Sequence, residues 1–416
     1  MSKILVVGSG FAGVWSAASA VRLARAHGAE DVSVTVVAPG DDLVIRPRLY
    51  EAGPDRMRVP LDRILGPVGV RRIPAIVTGI DTDRRTVTGV GSDGRSIRSD
   101  YDKLILATGS QLRRPRIPGA ELVHDVDTLP AAAALDAHLH RLPEIPPADG
   151  RFTVVVVGAG FTGLEIATEL VDRLRPIAER VPGEVPRIVL VERSDEIAPE
   201  LGPGPRPHIL KVLARLDVAQ RLGVSVAAVD RGGVTLSDGS RIAAATVVWT
   251  AGVQASPLTA DIPGDRDRLG RIHVDEYLRA PDAPGVYVAG DTAATPADER
   301  TRVLQCCQHA LQLGKYAGHN AVAEDLGLPL VPFVGEPYVT CLDLGSTDAM
   351  FSNGWDRRVI ATGAAAKARK QRVNELFIYP PTDDPDELLR QADYRFSVRQ
   401  LAPQPENLDS VVNEVR

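Results

Sequence analysis

Cysteine is scarce in this sequence. The 416 residues contain only Cys306, Cys307 and Cys341, which are too few for a disulfide framework or for a zinc site built on cysteines. No two of them stand at the CxxC spacing, so a dithiol that cycles between thiol and disulfide has no signature here. We therefore expect a protein of a reducing, intracellular compartment.

Long apolar runs and an excess of basic residues are also missing. No run approaches the roughly 20 apolar residues that cross a bilayer, and strand-like sequence begins within three residues of Met1, which leaves no room for a signal peptide. The net charge of −6 argues against a nucleic-acid partner, because nucleic-acid binders are normally basic. No histidine cluster has metal-ligand spacing. The sequence predicts a cytoplasmic protein without a metal.

The chain opens with a strand, a glycine turn and a helix. The apolar run at residues 4–7 (ILVV) is followed by residues 8–13 (GSGFAG) and then by an amphipathic stretch. In this pattern Gly8 allows the tight turn, Gly10 lets the backbone approach a pyrophosphate, and Gly13 lets the helix pack on the strand. The free N–H groups at the helix N-terminus attract phosphate. The pattern predicts a dinucleotide site, although glycine turns also occur for purely structural reasons.

The same pattern returns after a proline-rich linker. Residues 153–157 (TVVVV) lead into residues 158–163 (GAGFTG), and a second strand ends at Glu192. A carboxylate at that strand end accepts hydrogen bonds from both ribose hydroxyls and repels a 2′-phosphate, which predicts NADH over NADPH. Arg193 weakens this preference slightly. The alternative is that Glu192 is simply a solvated acid.

The first copy lacks the corresponding acid. Ala38 stands at the end of its second strand, and Asp41 and Asp42 come just beyond. Either one of these aspartates reaches back to the ribose, or the contact is missing or is made by backbone. Three later strand ends carry small residues or an acid, as expected where parallel strands present a ligand site; they are Thr108-Gly109, Ala251-Gly252 and Gly290-Asp291.

A loop with two arginines follows the second strand. Arg46 and Arg48 flank Pro47. One interpretation gives them ion pairs with acids such as Glu51. The other has them facing a cofactor or an anionic substrate, because arginine suits carboxylate and phosphate.

Two such fingerprints in one chain resemble the two-dinucleotide-binding flavoproteins related to glutathione reductase. The resemblance covers residues 1 to about 325. It implies FAD on the first fingerprint, with Asp291 on the ribityl chain and Gly109 in a second FAD motif, and NAD(P)H on the inserted copy. The expected fold is α/β, with two Rossmann-like domains, the second inserted in the first, and a small α+β C-terminal region. The expected bounds are 1–142 and 263–328 for the FAD domain, 143–150 for a linker, 151–262 for the NAD(H) domain, and 329–416 for the C-terminal domain and tail.

Within that superfamily the chain is most similar to type II NADH:quinone oxidoreductases. Residues 249–258 (WTAGVQASPL) resemble that family's strand end, and residues 307–314 (CQHALQLG) resemble its AQxAxxxG quinone motif. The resemblance implies catalytic roles for Glu165, near the nicotinamide, and for Gln308, Tyr50 and Arg48. The residues expected to contact the cofactors are Gly8, Gly10, Phe11, Ala12, Gly13, Arg46, Pro47, Thr108, Gly109, Gly158, Gly160, Phe161, Thr162, Gly163, Glu192, Ala251, Gly252, Gly290, Asp291, Gln308, His309 and Ala310.

The expected activity is therefore hydride transfer from NADH to FAD, and electron transfer onward to a quinone or another small acceptor by a ping-pong mechanism. One alternative is an oxidoreductase for an anionic substrate selected by Arg46 and Arg48. Another is a redox-signalling flavoprotein with slow turnover. A basic helix at residues 364–377 has a thin apolar face, and an acidic tail follows at 382–416, so at most weak peripheral membrane contact is expected. A homodimer through the C-terminal region is left open. A further helix, predicted at residues 302–325, is expected to direct its positive end at the flavin.

Overall fold

The computed structural model describes residues 2–401, and the end of the predicted acidic tail, residues 402–416, lies outside that range. The described residues contain these α-helices: α1 Phe11–Ala26, α2 Leu61–Leu65, α3 Leu129–Arg141, α4 Phe161–Ala178, α5 Arg206–Arg215, α6 Cys307–Asp325, α7 Gly363–Arg372 and α8 Pro385–Gln391.

The strands of residues 2–401 are short, as is usual for α/β proteins. They are β1 Ser2–Val7, β2 Val32–Ala38, β3 Asp42–Val44, β4 Arg58–Pro60, β5 Arg71–Asp81, β6 Thr86–Gly91, β7 Ser96–Asp100, β8 Lys103–Leu106, β9 Ser110–Leu112, β10 Thr153–Val157, β11 Arg187–Val191, β12 Ala219–Arg221, β13 Val226–Asp230, β14 Gly233–Leu236, β15 Arg241–Ala243, β16 Thr246–Trp249, β17 Val253–Ala255, β18 Ile272–His273, β19 Val286–Val288, β20 Ala293–Ala294, β21 Val339–Asp343, β22 Ala349–Asn353 and β23 Arg358–Thr362.

The largest sheet is built around β1. Its strand order is β19-β8-β1-β2-β5-β6-β7, with parallel pairing from β19 to β5 and antiparallel pairing from β5 to β7. Residues 4–7 of β1 are all buried, which explains why this strand is apolar without alternation. The predicted strand, glycine turn and helix are therefore present, and the turn lies at the carboxyl edge of a parallel sheet.

A second parallel sheet is inserted into the chain path of the first. Its strand order is β12-β11-β10-β16, so the chain leaves the large sheet after β8 and returns to it with β19. The short antiparallel pair β17–β9 joins the strand-end segments of the two sheets. The predicted fold class, with two Rossmann-like sheets and the second inserted in the first, is confirmed. The domain bounds stay a prediction.

Helix α6 packs closely on α1. A Cβ atom added at Gly314 would overlap the backbone of Ala12, and one added at Gly318 would overlap the backbone of Ser16. Glycine at these two positions lets the helix axes approach, so α6 holds the helix that begins at the first glycine turn. The prediction placed the start of α6 at residue 302, but the backbone at Cys306 is extended and the helix begins at Cys307.

The C-terminal region is an antiparallel sheet, β21-β22-β23, followed by helices. The predicted basic helix at 364–377 is α7, which continues as a π-helical turn, Val373–Phe377. Helix α8 begins within the predicted tail and packs near α1, where Asp393 just beyond it pairs with Arg22 at 2.5 Å. Within residues 2–401 no helix combines the length and apolarity that a membrane span requires.

Candidate active site

The first glycine turn forms an open cradle at the N-terminus of α1. No atom of residues 2–401 lies within 4 Å of a Cβ built at Gly10 or at Gly109. A Cβ at Gly13 would overlap the carbonyl of Gly8, so this glycine is needed for packing. No side chain in the described part of the chain caps α1, and its first turn carries no acid. The free N–H groups and the space above Gly10 fit a pyrophosphate.

Buried polar atoms without partners surround the same edge of the sheet. Within residues 2–401, the hydroxyl of Thr108 and the side-chain oxygen of Gln305 are buried and make no hydrogen bond. Asp291 lies nearby, its carboxylate accepting a hydrogen bond from the Ser110 hydroxyl at 2.6 Å. Burial raises the pKa of Asp291, and the Ser110 hydrogen bond opposes that shift. Buried polar groups are normally paired, so these unpaired atoms fit a bound polar cofactor such as FAD.

The second glycine turn repeats this geometry around Glu192. The carboxylate of Glu192 accepts hydrogen bonds from the backbone N–H of Ala159 at 2.8 Å and of Ser194 at 2.9 Å. It is therefore fixed at the end of β11 beside the turn and is not the freely solvated acid of the alternative interpretation. Helix α4 starts at Phe161 with no side-chain cap among the described residues. The carboxylate of Glu200 stands over Gly160, 3.2 Å from the position of an added Cβ.

Neither aspartate after Ala38 turns back toward the first turn. Asp41 pairs with Arg72 at 3.2 Å, and Asp42 pairs with Arg58 at 3.3 Å. Both acids are therefore engaged on the far side of β2. Of the alternatives open for the first ribose contact, the conformation favours a missing or backbone-mediated one.

Glu165 lies one turn into α4 and is completely buried in an ion pair. Its Oε1 accepts from Lys370 Nζ at 2.8 Å and from the backbone N–H of Asp343 at 3.0 Å. Burial raises the pKa of Glu165 to about 7, opposed by Lys370 and reinforced by the Asp343 carboxylate. Burial lowers the pKa of Lys370, but Glu165, Cys341 and Asp343 together outweigh this and leave it raised. The carboxyl can thus hold or release a proton near neutral pH.

Tyr50 connects the arginine loop to the same buried network. Its hydroxyl donates to Asp343 Oδ2 at 2.8 Å, and Asn374 Nδ2 donates to it at 3.2 Å. The second oxygen of Asp343 accepts from Lys367 at 2.6 Å. Burial raises the pKa of Tyr50, and the carboxylate of Glu165 adds to this effect. The phenol therefore stays protonated and acts as a hydrogen-bond donor.

Both arginines of the loop are already neutralised by carboxylates. Arg48 forms a two-pronged pair with Glu51 at 2.9 and 2.6 Å. Arg46 bonds Asp127 and lies 3.7 Å from Asp291. Both guanidinium groups are therefore engaged by carboxylates, and the selection of an anionic substrate by Arg46 and Arg48 stays an alternative. Arg46 remains beside Asp291, where it can approach a cofactor.

A polar cavity of about 230 Å³ opens beside Arg48 and Asp343. Charged and amide side chains dominate its walls; they are Arg48, Glu51, Arg56, Glu169, Asp343, Lys367, Gln371, Asn374 and Glu375. This cavity is smaller and more polar than most small-molecule sites.

The start of α6 carries the motif residues at the base of the site. Gln308 is partly exposed and donates to the carbonyl of Pro337 at 3.3 Å. His309 is buried, and its Nδ1 accepts from the backbone N–H of Leu304 at 3.0 Å. The same Nδ1 lies 3.2 Å from the carbonyl oxygen of Leu304 and 3.1 Å from Cys306 Sγ, and Nε2 has no partner within residues 2–401. Burial lowers the pKa of His309 to about 4, so the ring is neutral. Ala310 is buried against the glycine turn beside Gly290.

The cysteines next to this helix carry no activated thiol. Cys306 and Cys307 are free, and burial raises the pKa of both. A raised pKa keeps a thiol protonated and weakly nucleophilic. Burial and protonation fit the interpretation of these residues as small apolar side chains.

Sequence reasoning missed the partners of Glu165 and Tyr50. Lys367, Lys370 and Asn374 lie more than 200 residues from Glu165 in the chain, on the segment that the sequence predicts to be a basic helix. Lys370 is 5% exposed. The spacing of Lys367, Lys370 and Asn374 by three and four residues places them on one helix face. That spacing was the available sequence signal. It identifies a site only once the structure shows Glu165 and Asp343 facing these side chains.

The model of the family "Pyridine nucleotide-disulphide oxidoreductase" matches residues 2–314. An NADH dehydrogenase-like protein of Mycobacterium tuberculosis is 46% identical over 386 residues, covering 92% of this chain and 95% of that protein. A type II NADH:quinone oxidoreductase of the same organism is 30% identical over 354 residues, covering 76% of this chain and 70% of that protein.

Solved structures share the fold. NDH2 of Plasmodium falciparum in complex with NADH has a TM-score of 0.72 at 14% identity, covering 86% of this chain and 92% of that chain. The sulfide:quinone oxidoreductase of Aquifex aeolicus has a TM-score of 0.74 at 19% identity, covering 96% and 94%. Two glycine turns on inserted Rossmann-like sheets, together with the family match over most of the chain, lead to one conclusion: this chain belongs to the pyridine nucleotide-disulphide oxidoreductase family.

Proposed function

We propose that this flavin- and NAD(P)H-dependent oxidoreductase takes hydride from NADH onto FAD and passes the electrons to a small quinone. The observation that carries the proposal is that Glu165 and Tyr50 meet in one buried network through Asp343. Glu165 follows the second turn and lies within that network, which also holds Tyr50 of the loop next to the first cradle. NADH and a flavin bound at the two turns would meet at this network.

The cradle around Gly10 and the unpaired Thr108 and Gln305 atoms support FAD as the flavin, because a dinucleotide brings a pyrophosphate to the turn. When bound, FAD supplies the two-electron chemistry itself, and the protein supplies orientation and electrostatics. Asp291 accepts hydrogen bonds near the edge of the sheet, and α1 directs its N–H groups at the phosphates. Glu192 selects NADH, since its fixed carboxylate would repel a 2′-phosphate.

Residues of the buried network then hold and orient the proton that the reduction of the quinone requires. The Glu165 carboxyl, with a pKa of about 7, holds a proton at an oxygen close to where the quinone must be protonated, and Lys370 fixes the orientation of that oxygen. Tyr50 donates to Asp343 and closes the wall of the site against water. Gln308, partly exposed at the start of α6, offers an amide to the quinone carbonyl. NAD⁺ leaves before the acceptor is reduced, which gives ping-pong kinetics.

The names of the relatives at 46% and 30% identity support NADH and a quinone as the two substrates. The second candidate, a redox-signalling flavoprotein with slow turnover, requires that reoxidation by quinones be slow.

Steady-state rates with NADH and a panel of quinones test the proposal. Parallel double-reciprocal lines and turnover that depends on a menadione-like acceptor are expected. Intersecting lines would contradict the ping-pong order. Reduction by NADH without quinone turnover would favour the signalling candidate. A protein that neither carries nor takes up FAD would contradict both the quinone-reductase proposal and the signalling candidate.

A further inference from the structure

Tyr50 is held at both ends by residues from different parts of the chain. At the ring end, its hydroxyl donates to Asp343 of β21 at 2.8 Å. At the backbone end, its carbonyl oxygen accepts from Arg173 Nη1 at 2.9 Å. Arg173 belongs to α4, the helix that starts at the second glycine turn. The arginine loop is thus tied directly to the helix that carries Glu165.

The second prong of Arg173 reaches a third element. Its Nη2 donates to Asp136 Oδ1 of α3 at 2.7 Å, and the Arg173 side chain is 8% exposed. Helix α3 comes just before the linker, so the guanidinium joins α4 to two elements outside the inserted sheet. Glu165, Glu169 and Arg173 recur every four residues and share one face of α4. That face therefore carries the buried acid at one end and this clamp about 12 Å away.

We propose that Arg173 is a positioning residue that sets the distance between the arginine loop and α4, and thereby the distance between the flavin and the nicotinamide. The inference rests on the proposed hydride transfer. Arg173 contacts neither glycine turn, so it acts only through Tyr50 and Asp136. A planar guanidinium holds two acceptors in a fixed relative position, which a single ammonium cannot do. Misplacement of reacting groups by about 1 Å can slow a reaction roughly 100-fold.

A matched control exists in the same chain. Arg151 also donates one prong to a carboxylate, Glu184 at 2.5 Å, and the other to a backbone carbonyl, Ile145 at 2.9 Å. Its side chain is 5% exposed, yet none of its partners belongs to the arginine loop. Arg151→Ala should therefore cost stability in the same way as Arg173→Ala without moving the loop.

The rate of hydride transfer is measured by rapid mixing of NADH with FAD-loaded protein under anaerobic conditions. For Arg173→Ala we expect a rate constant about 10- to 100-fold lower, with the Kd for NADH changed by less than about threefold, because the guanidinium bonds Tyr50 and Asp136 and not the second glycine turn. Arg173→Lys should recover part of the rate. Low, non-denaturing guanidinium should also restore part of it, since a cavity of about 500 Å³ opens beside Arg173. Arg151→Ala should keep the wild-type rate.

Hydrogen exchange provides a readout that does not depend on turnover. Arg173→Ala should lose protection at residues 48–52, whereas Arg151→Ala should keep it. If Arg173→Ala does not fold, the hydride-transfer rate and hydrogen exchange are measured on Arg173→Lys and Asp136→Asn instead. An unchanged hydride-transfer rate, equal slowing in Arg151→Ala, or a lack of guanidinium rescue overturns the proposal. If wild-type protein takes no hydride from NADH, the proposed function fails, and hydrogen exchange alone decides whether Arg173 positions the loop.

Discussion

Glu165 and Lys370 form a buried ion pair across 205 residues of chain, with Nζ 2.8 Å from Oε1. Their side chains are 5% and 6% exposed, so water screens neither charge. The ammonium also lies 5.8 Å from the ring centroid of Tyr50 and 5.7 Å from that of Phe161. The pair therefore fastens α7 to the start of α4, just beyond the second glycine turn.

Removal of one member of this pair should be costly. Lys370→Met leaves the Glu165 carboxylate buried without its cation, and we expect the free energy of unfolding to fall by about 3–5 kcal/mol. The double variant Glu165→Gln/Lys370→Met should be less destabilised than the sum of the single variants, with a coupling of about 1–3 kcal/mol. Urea unfolding of the four proteins measures this. Additive effects would show that the two groups do not interact.

Stability should depend on pH through Glu165. Its pKa is raised from 4.5 to about 7 in the folded protein, so between these values the folded state binds more protons than the unfolded state. The free energy of unfolding should therefore fall as pH rises from about 4.5 to 7. Glu165→Gln should flatten this slope, whereas Glu179→Gln, at an exposed position beyond α4, should not. Identical slopes for wild type and Glu165→Gln would contradict the assignment.

Glu192 should determine the choice of nicotinamide nucleotide. Glu192→Ala removes the carboxylate that would repel a 2′-phosphate, so the ratio of kcat/KM for NADH to that for NADPH should narrow by about tenfold or more, the effect of roughly 1.4 kcal/mol. Glu196→Ala, which removes an acid 62% exposed, provides the control. An unchanged ratio in Glu192→Ala would place Glu192 outside the site.

Two glycines should respond differently to the same substitution. At Gly10 an added side chain meets no atom of residues 2–401 within 4 Å, so Gly10→Val should fold but lose FAD, because it fills the space that the pyrophosphate needs. At Gly318 the side chain would overlap the backbone of Ser16, so Gly318→Val should lower the free energy of unfolding by about 1–3 kcal/mol or more. Bound flavin per chain and thermal unfolding separate these outcomes. Full flavin occupancy in Gly10→Val would show that FAD does not bind at the first glycine turn.

The parts of the fold that local pattern specifies were predictable from sequence. The sequence predicted β1 and β10 and the glycine turns after them, because the strand, the turn and the helix are adjacent in the chain. The start of α6 was missed because residues 302–306 have helix-compatible composition, while contacts with the segment near Thr295 hold them extended. This pairing joins residues only eight positions apart, but it leaves no periodicity that distinguishes these residues from a helix.

The sequence predicted individual residues of the candidate site but not the partners that they contact. Glu165, Tyr50 and Gln308 could be named from motifs, but their partners Lys370, Asp343 and Asn374 come from the C-terminal region, whose packing no motif specified. Arg46 and Arg48 could be read either as ion pairs or as ligands for an anion. The positions of Asp127 and Glu51 show that both arginines make ion pairs with carboxylates, which the sequence alone left open.

Anaerobic titration of the purified holoprotein with NADH tests the central claim most directly. The account predicts that the visible flavin absorbance bleaches with one NADH per bound flavin, and that a menadione-like quinone restores it. NADPH should bleach it more slowly. A protein whose bound flavin is not reduced by NADH, or that cannot bind FAD at all, would contradict the account.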